Sequence, residues 1–273
     1  YITLICKRNS LFIFNSIHSA VDKFVKIGMH LIYPSLSMAL LYSGRIYLSR
    51  YTYNARDFRR LWLSSRHAAE SGRYEQHAAD IAAGNDNEAT AKGVVGAAVK
   101  EFGRIDVLIN NAQASASGVT IQDHTTEQFD LAVYSGLYAA FYYMKACYPY
   151  LKETKGSIIN FASGAGLFGN YGQCAYAAAK EGIRGLSRVA ATEWAKDGIN
   201  TNVVCPLAWT SQLEKFSTAY PEAFKANVKM PPAGHFGDSE TEIGRVCVQL
   251  ASPDFKYMNG ETLTLEGGMG LRP

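Results

Sequence analysis

The sequence predicts an α/β protein with a single Rossmann-like domain, a doubly wound parallel sheet with helices on both faces. Three observations support this prediction. Short apolar runs alternate with longer segments of helical spacing from about residue 76 onward. The apolar runs are nearly continuous, which is typical of parallel strands buried on both faces. Polar residues or a proline stand where these runs end, at the edge where such sheets bind ligands.

The first half of this region contains two helices and two strands. Residues 89–103 have helical spacing and are followed by an apolar run at 105–112, which suits a buried strand. Residues 127–153 form a long periodic segment, predicted as one helix. A second buried strand is predicted at 156–163.

The second half continues the alternation. A long helix is predicted at 175–198 and a third strand at 199–206. The helix at 239–252 opens with a Ser-x-x-Glu capping box if Ser239 is the cap, and a last strand follows at 261–268. This alternation implies a parallel sheet with crossover helices.

Residues 1–75 lack clean periodicity. We therefore predict an atypical N-terminal segment at 1–41 and one α/β domain at 42–273. The uncharged stretch after Ile27, apart from His30, extends only to Tyr42 and contains Pro34, whereas a spanning helix needs about 20 apolar residues. No membrane segment is predicted.

Composition narrows the range of partners. The chain has 273 residues, 48% hydrophobic and 19% charged, which is sufficient for one substantial core. Its net charge of +3 comes without a long basic run, so neither nucleic acid nor an anionic membrane is indicated as a partner. The five cysteines are scattered and show no zinc-binding spacing, which favours a reduced, cytoplasmic chain.

A candidate proton-transfer site lies at the predicted strand ends. Tyr176 and Lys180 are four residues apart and share a helix face. Such a pair is usually a solvated helix face when it stands alone. Ser163 ends the second strand, thirteen residues before Tyr176, so a hydroxyl, a phenol and an ammonium are predicted to line one pocket.

Five short motifs, in order over roughly 190 residues, resemble the short-chain dehydrogenase/reductase family. They are Asn-Asn-Ala-Gln at 110–113, Ser163, the Tyr176–Lys180 pair, Asn-Val-Val-Cys-Pro-Leu at 202–207 and Leu-Glu-Gly-Gly at 265–268. The resemblance runs from about Asp80 to Gly268 and its separations match the family.

The resemblance implies an NAD(P)-dependent oxidoreductase that interconverts a secondary alcohol and a ketone by hydride transfer. Tyr176 would be the acid/base, Ser163 would orient the substrate oxygen, and Lys180 would tune Tyr176 and hold the cofactor ribose. A nearby ammonium and a cationic nicotinamide are expected to lower the pKa of the tyrosine.

The resemblance also implies a set of cofactor contacts. Arg66 matches the basic residue that favours NADP over NAD, and Asp80 with Ile81 matches an adenine-contacting pair. Asn110 is interpreted equally as a strand clamp or a cofactor contact, and Thr210 or Ser211 as the carboxamide contact. The predicted cofactor-binding residues are Arg66, Asp80, Ile81, Asn110, Ala112, Tyr176, Lys180, Pro206, Trp209 and Thr210.

The chain departs from the family pattern at three kinds of position. The phosphate-binding Thr-Gly-x-x-x-Gly-x-Gly stretch is absent, with Ser43-Gly44 its best-placed remnant. A fourth catalytic residue, an asparagine in the family, falls near Gly136, where neither Ser135 nor Tyr134 is an obvious replacement. Gln113 and Leu207 stand where the family has glycines.

Two explanations of the missing glycine loop remain open. Residues 1–75 are a corrupted or drifted first βαβ unit, which the remnants at 42–81 favour, or the chain is a non-catalytic paralogue that serves as a scaffold or interaction protein.

Apolar segments of the sequence predict the kind of substrate and the oligomeric state. Segment 211–236 lies where the family has its substrate lid, and Phe216, Tyr220 and Phe224 recur at a spacing of four. These rings predict a small or medium apolar alcohol or ketone, although packing on their own core explains them equally well. The apolar helices at 127–153 and 175–198 predict a homodimer or homotetramer.

Overall fold

A computed structural model describes residues 87–219 and 221–270 together with five short N-terminal strands. Those strands are β1 (Thr3–Cys6), β2 (Leu11–Ile13), β3 (Leu41–Tyr42), β4 (Arg45–Leu48) and β5 (Tyr51–Asn54). The later strands are β6 (Val107–Asn110), β7 (Ser157–Phe161), β8 (Asn200–Pro206) and β9 (Thr262–Leu265). The α-helices are α1 (Asn87–Phe102), α2 (Thr126–Ala132), α3 (Ala139–Thr154), α4 (Gly164–Phe168), α5 (Cys174–Glu193), α6 (Ser211–Ala219), α7 (Pro221–Asn227) and α8 (Arg245–Leu250).

The predicted parallel sheet is confirmed. Within the described strands the main sheet has the order β2-β1-β6-β7-β8-β9. Strands β6 to β9 are parallel to one another, β1 pairs antiparallel with β6, and β2 forms the edge beyond β1. Strands β3 to β5 form a separate antiparallel sheet.

Helices cover both faces of the sheet. Successive strand residues point to opposite faces, and the apolar side chains on each face need a covering layer. Leu108 and Ile158 belong to a core cluster with α1 and α3. Val107 and Ile159 pack on the other face with residues of α8, including Leu250. This two-sided core explains why the strands read as continuous apolar runs.

The predicted helix at 127–153 is interrupted. It consists of α2, a π-helical segment at Val133–Tyr138, and α3. A π-turn inside a helix frequently marks a functional position.

The predicted capping box at Ser239 is wrong. A π-helical segment at Ser239–Gly244 leads directly into α8. Asp238 caps this segment, since its Oδ1 accepts a hydrogen bond from the Thr241 amide at 2.6 Å. The Glu242 carboxylate in turn accepts from the Asp238 amide at 2.7 Å. The Ser239 hydroxyl donates to the carbonyl of Trp209 at 3.2 Å.

Several predictions fall outside the described residues. Ser43, Gly44, Arg66, Asp80 and Ile81 are among them, and their assigned contacts stay predictions, as does the domain boundary at residue 42. None of the described helices is long and apolar enough to span a membrane.

Candidate active site

The parallel strands bring their carboxyl ends to one edge of the sheet. β6 pairs in register with β7 as far as Asn110 and Asn160, and β7 with β8 as far as Phe161 and Val204. Ser163 follows β7 by two residues and caps α4, where its Oγ accepts a hydrogen bond from the Ala165 amide at 3.1 Å. This edge is where an open α/β sheet binds its ligand.

Helix α5 presents the predicted pair beside this edge. The Lys180 Nζ lies 5.5 Å from the centre of the Tyr176 ring. The same ammonium donates to the carbonyl of Phe161 at 2.7 Å and so attaches α5 to the end of β7. The Ser163 hydroxyl is close enough to act on the pKa of Tyr176. The structure therefore brings the three predicted catalytic side chains together.

Burial controls the ionisation of this pair. It raises the pKa of Tyr176, and the neighbouring Ser163 hydroxyl opposes that increase. Burial also lowers the pKa of Lys180 to about 8, because desolvation penalises the charged ammonium. The expected depression of the tyrosine pKa is thus not produced by the side chains of the chain alone. A protonated Tyr176 at neutral pH is suited to giving a proton to a carbonyl oxygen.

Asn110 acts as a clamp between strands. Its Nδ2 donates to the Oδ1 of Asn160 at 2.8 Å, and the Nδ2 of Asn160 donates to the Ser187 hydroxyl at 2.8 Å. The clamp therefore joins the ends of β6 and β7 to helix α5. This supports the structural interpretation of Asn110, and its contact with a cofactor stays a prediction.

The remaining predicted contacts lie around the same edge. Ala112 is exposed just after β6, and Pro206 ends β8 beside β9. Trp209 donates its backbone N–H to the carbonyl of Gly237 at 3.0 Å. The hydroxyl of Thr210 accepts from the Leu213 amide at 3.2 Å, at the start of α6. The contacts of these four residues with a cofactor stay predictions.

The predicted lid forms helices α6 and α7. The ring centre of Trp209 lies 6.1 Å from that of Phe224 and 5.7 Å from that of Phe236. The Phe216 side chain and Tyr220 lie outside the described residues, so the three-ring lid stays a prediction. Trp209 is the aromatic partner that the spacing of four did not reveal.

Gln113 lies in the same region, although its position in the sequence assigned it no role. The Nε2 of Gln113 donates to the carbonyl of Ala132 at 3.1 Å, just before the π-helical segment. A Cβ atom built on Gly136 would lie 2.5 Å from the Cδ of Gln113. Both positions depart from the family pattern, because Gln113 stands where the family has a glycine and the family's asparagine falls near Gly136.

The site fits the ribose and nicotinamide end of a dinucleotide. Lys180 is fully buried, and among the described residues its ammonium has one hydrogen-bond acceptor, the Phe161 carbonyl. An ammonium carries three N–H donors, so two remain for vicinal ribose hydroxyls. Tyr176 and Ser163 lie beside it, where the reacting carbon of a substrate would be placed.

Comparisons with known proteins agree with this geometry. The family model described as Enoyl-(Acyl carrier protein) reductase matches residues 63–270. A 12alpha-hydroxysteroid dehydrogenase from a Clostridium species is 69% identical over 196 residues, which are 72% of this chain and 76% of that protein. The 3-oxoacyl-[acyl-carrier-protein] reductase of Thermotoga maritima is 34% identical over 180 residues, 65% of this chain and 71% of that protein. The solved structure of ElxO with NADP bound has a TM-score of 0.62 at 27% identity, covering 66% of this chain and 73% of that chain.

Fold, site and comparisons define a dinucleotide-dependent oxidoreductase. The chain belongs to the short-chain dehydrogenase/reductase family. It is an NAD(P)-dependent enzyme that interconverts a secondary alcohol and a ketone, as the motifs predicted. Nothing in the comparisons supports the alternative of a non-catalytic paralogue.

Proposed function

We propose that this chain is a hydroxysteroid dehydrogenase that uses NADP and acts on a 12α-hydroxyl group and the corresponding ketone. The observation that carries the proposal is the 69% identity to a 12alpha-hydroxysteroid dehydrogenase across the segment containing Ser163, Tyr176 and Lys180. A steroid is also an apolar alcohol of medium size, which agrees with the aromatic surface formed by Trp209 and Phe236.

In the reduction direction, Tyr176 donates its phenolic proton to the ketone oxygen. Its raised pKa keeps that proton in place at neutral pH. Ser163 donates a hydrogen bond to the same oxygen and aligns the carbonyl. A bound nicotinamide supplies the hydride. Acid–base assistance of this kind contributes about 10²- to 10⁴-fold to the rate.

Lys180 has two roles in this proposal. Its ammonium holds the ribose hydroxyls and favours the phenolate that remains after Tyr176 has given up its proton. The hydrogen bond to the Phe161 carbonyl fixes the direction of the ammonium. Because the pKa of Lys180 is lowered to about 8, its charge is lost as the pH rises through that value.

We further propose that the cofactor is NADP in preference to NAD. Arg66, in the position that the family pattern gives to a 2′-phosphate contact, supports the preference, as does the NADP bound to ElxO. A cytoplasmic location is proposed because Cys147, Cys174 and Cys247 form no disulfide bond.

We also propose that the chain forms a homodimer or homotetramer through α2, α3 and α5. Phe129, Phe141 and Val189 on these helices are 40%, 40% and 53% exposed. Large apolar side chains exposed along neighbouring helices are typical of an interaction surface.

The test is a substrate comparison with the purified chain. A 12α-hydroxylated steroid and NADP⁺ should give NADPH, measured by absorbance, whereas the same steroid without the 12-hydroxyl should not. A 3-oxoacyl thioester with NADPH tests the activity named for the Thermotoga relative. Turnover of the thioester and not of the steroid would contradict the proposed substrate.

A further inference from the structure

A buried carboxylate lies at the edge of the sheet that carries the active site. Glu266 directly follows β9, whose last residue pairs with Pro206 at the end of β8. Glu266 is only 6% exposed, although removing a carboxylate from water is costly. It stands where the family pattern closes with an aspartate, so its side chain is one methylene longer. The longer side chain reaches a neighbouring helix.

The carboxylate of Glu266 fills space that two glycines leave open. A Cβ atom built on Gly164 would lie 2.5 Å from the Oε1 of Glu266 and 3.4 Å from its Cδ. A Cβ atom on Gly270 would overlap the Oε2 of the same carboxylate. An aspartate at this position would end about 1.5 Å short, the length of one C–C bond. Glu266 therefore contacts the residue that directly follows Ser163.

Helix α4 begins at the catalytic serine and lies between two carboxylates. Ser163 caps α4, and its Oγ accepts a hydrogen bond from an amide of the first turn, so the hydroxyl and the helix move together. A Cβ atom on Gly166 would lie 2.7 Å from the Oε1 of Glu181, which belongs to α5. Because successive helix residues are rotated by about 100°, Gly164 and Gly166 face in nearly opposite directions. Glu181 and Glu266 therefore limit the position of α4 from opposite sides.

The turn that carries Glu266 is itself held in place. The carbonyl of Leu265 accepts a hydrogen bond from the Leu207 amide at 2.9 Å. The carbonyl of Gly267 accepts one from the Ala233 amide, also at 2.9 Å, in the loop that follows α7. Gly267 has φ 57°, and a Cβ atom on it would lie 3.0 Å from the Cβ of Ala233. The backbone at Glu266 is thus a fixed point against which α4 is positioned.

We propose that Glu266 is a positioning residue for the catalytic serine. Its carboxylate limits the movement of α4 away from α5, which keeps the Ser163 hydroxyl within reach of Tyr176 and of the substrate oxygen. The length of the side chain is essential to this role, because the carboxylate has to extend as far as Gly164. The inference rests on the role proposed for Ser163 in the reaction.

Three single variants separate length from charge, and a double variant tests the shared space. Glu266→Asp shortens the side chain and keeps the charge, whereas Glu266→Gln keeps the length and removes the charge. Gly164→Ala places a methyl group against the carboxylate. Combining Gly164→Ala with Glu266→Asp fills the space that the shorter side chain leaves open. The matched controls are Glu261→Asp, at an exposed glutamate, and Gly96→Ala, where the new methyl group meets no atom within 4 Å.

The expected kinetic effect is on kcat. Glu266→Asp and Gly164→Ala should each lower kcat about tenfold with little change in KM for NADP⁺, because a misplaced catalytic group slows the chemical step. Glu266→Gln and the two controls should keep most of the wild-type kcat, and the double variant should recover most of it. Wild-type kcat in both Glu266→Asp and Gly164→Ala would overturn the proposal. So would an equal loss in Glu266→Gln, or no recovery in the double variant.

The pH profile distinguishes positioning from a general loosening of the fold. Burial raises the pKa of Tyr176, and the Ser163 hydroxyl opposes that increase. If Ser163 is displaced, the pKa of Tyr176 rises further, and the phenolate that accepts a proton during alcohol oxidation forms at higher pH. The ascending limb of the kcat–pH profile for oxidation should therefore move to higher pH in Glu266→Asp, as in Ser163→Ala. A limb that moves in Ser163→Ala and not in Glu266→Asp would overturn the proposal.

Two measurements on the chain without cofactor do not depend on turnover. Crystal structures should show the Ser163 Oγ displaced with α4 in Glu266→Asp and restored in the double variant, and an unchanged α4 would overturn the proposal. The changes in melting temperature should be non-additive in the double variant, since the two residues share one space, and additive changes would contradict the pairing. If Ser163→Ala keeps the wild-type kcat, or the wild type oxidises no steroid, the proposed function fails. These two measurements then still decide whether Glu266 positions α4.

Discussion

At the residue scale, the active site contains a charge that the fold does not favour. Lys180 is fully buried, and desolvation lowers its pKa from 10.5 to about 8. At pH 7 the unfolded chain and the folded chain both carry the ammonium, but only the folded chain buries it. The difference corresponds to a cost on the order of 3 kcal/mol in the free energy of folding. Function, and not stability, explains why a lysine occupies this position.

We therefore predict that Lys180→Met is more stable than the wild type and inactive. Its melting temperature should rise by a few degrees at pH 7, because a buried charge is replaced by an apolar side chain of similar length. Calorimetry and a turnover assay measure the two effects. Lys196→Met, on an exposed lysine, is the matched control and should change neither. A lower melting temperature in Lys180→Met would contradict the electrostatic argument.

The same shift predicts how stability varies with pH. The folded pKa of Lys180 is depressed, so between about pH 8 and 10.5 the unfolded state binds more protons than the folded state. The contribution of Lys180 to the free energy of unfolding should therefore rise as the pH rises through this window. Denaturant titrations of the wild type and Lys180→Met should differ most at pH 7 and converge toward pH 10.5.

The phenol of Tyr176 is predicted to be required for proton transfer and not for binding. Tyr176→Phe removes one hydroxyl and should abolish turnover while NADPH binding changes little. Fluorescence titration with NADPH and a turnover assay at saturating cofactor check this. Tyr257→Phe, at a fully exposed tyrosine, is the control and should retain both properties. An active Tyr176→Phe variant would exclude Tyr176 as the acid.

At the element scale, helix α3 ends in a strained cap. Lys155 follows α3 with φ 52° and ψ 50°, the left-handed conformation that glycine adopts without a steric penalty. Among the described residues, Lys155 is the one non-glycine residue with a positive φ. Its carbonyl oxygen accepts a hydrogen bond from Lys256 at 2.6 Å, so the backbone is held in this conformation.

Lys155→Gly is accordingly predicted to stabilise the fold. Relief of the left-handed strain should raise the free energy of unfolding by about 1 kcal/mol. The matched control is Glu153→Gly, in the regular part of the same helix, which should lower it by a similar amount. Urea titration measures both changes, and turnover should stay unchanged. Destabilisation by both glycines would contradict the cap argument.

The sequence predicted the elements whose signals are local. Strands β6 to β8 are buried on both faces, so their residues form apolar runs that are visible without a structure. Ser163, Tyr176 and Lys180 could be predicted as one site because parallel strands end at the same edge. The break in the helix at 127–153 could not be predicted, because it accompanies a contact between Gln113 and Gly136, 23 residues apart. The helix start at Asp238 was missed because several neighbouring residues can cap a helix, and packing decides among them.

At the scale of the whole molecule, the exposed apolar side chains of α2, α3 and α5 lead to a prediction on assembly. Phe129, Phe141 and Val189 are covered if these helices pair between copies. Phe141→Asp should shift the mass measured by light scattering toward the monomer, because a charge in an apolar interface is costly. Ala97→Asp, at an exposed position of α1 outside the proposed interface, is a control for charge alone. A wild-type chain that is monomeric at micromolar concentration would contradict the proposed oligomer.

The N-terminal region leads to the prediction that bears most directly on cofactor affinity. The family model matches residues 63–270, so the region in which the family carries its glycine loop lies largely outside the match. A glycine loop at a helix N-terminus binds the pyrophosphate through backbone N–H groups. We predict that replacing residues 1–75 by the first βαβ unit of the Clostridium relative tightens NADPH binding and raises turnover.

The chimera separates the two halves of the site. Strand-end residues Asn110, Ser163 and Pro206 and helix α5 are unchanged in it, so any gain arises from the phosphate-binding half. Introducing Tyr176→Phe into the chimera is the control, and it should remove turnover while the tighter NADPH binding remains. Equal NADPH affinity in the chimera and the native chain would show that residues 1–75 do not limit binding. In that case the catalytic half alone determines how well the enzyme holds its cofactor, and Lys180 becomes the residue on which affinity chiefly depends.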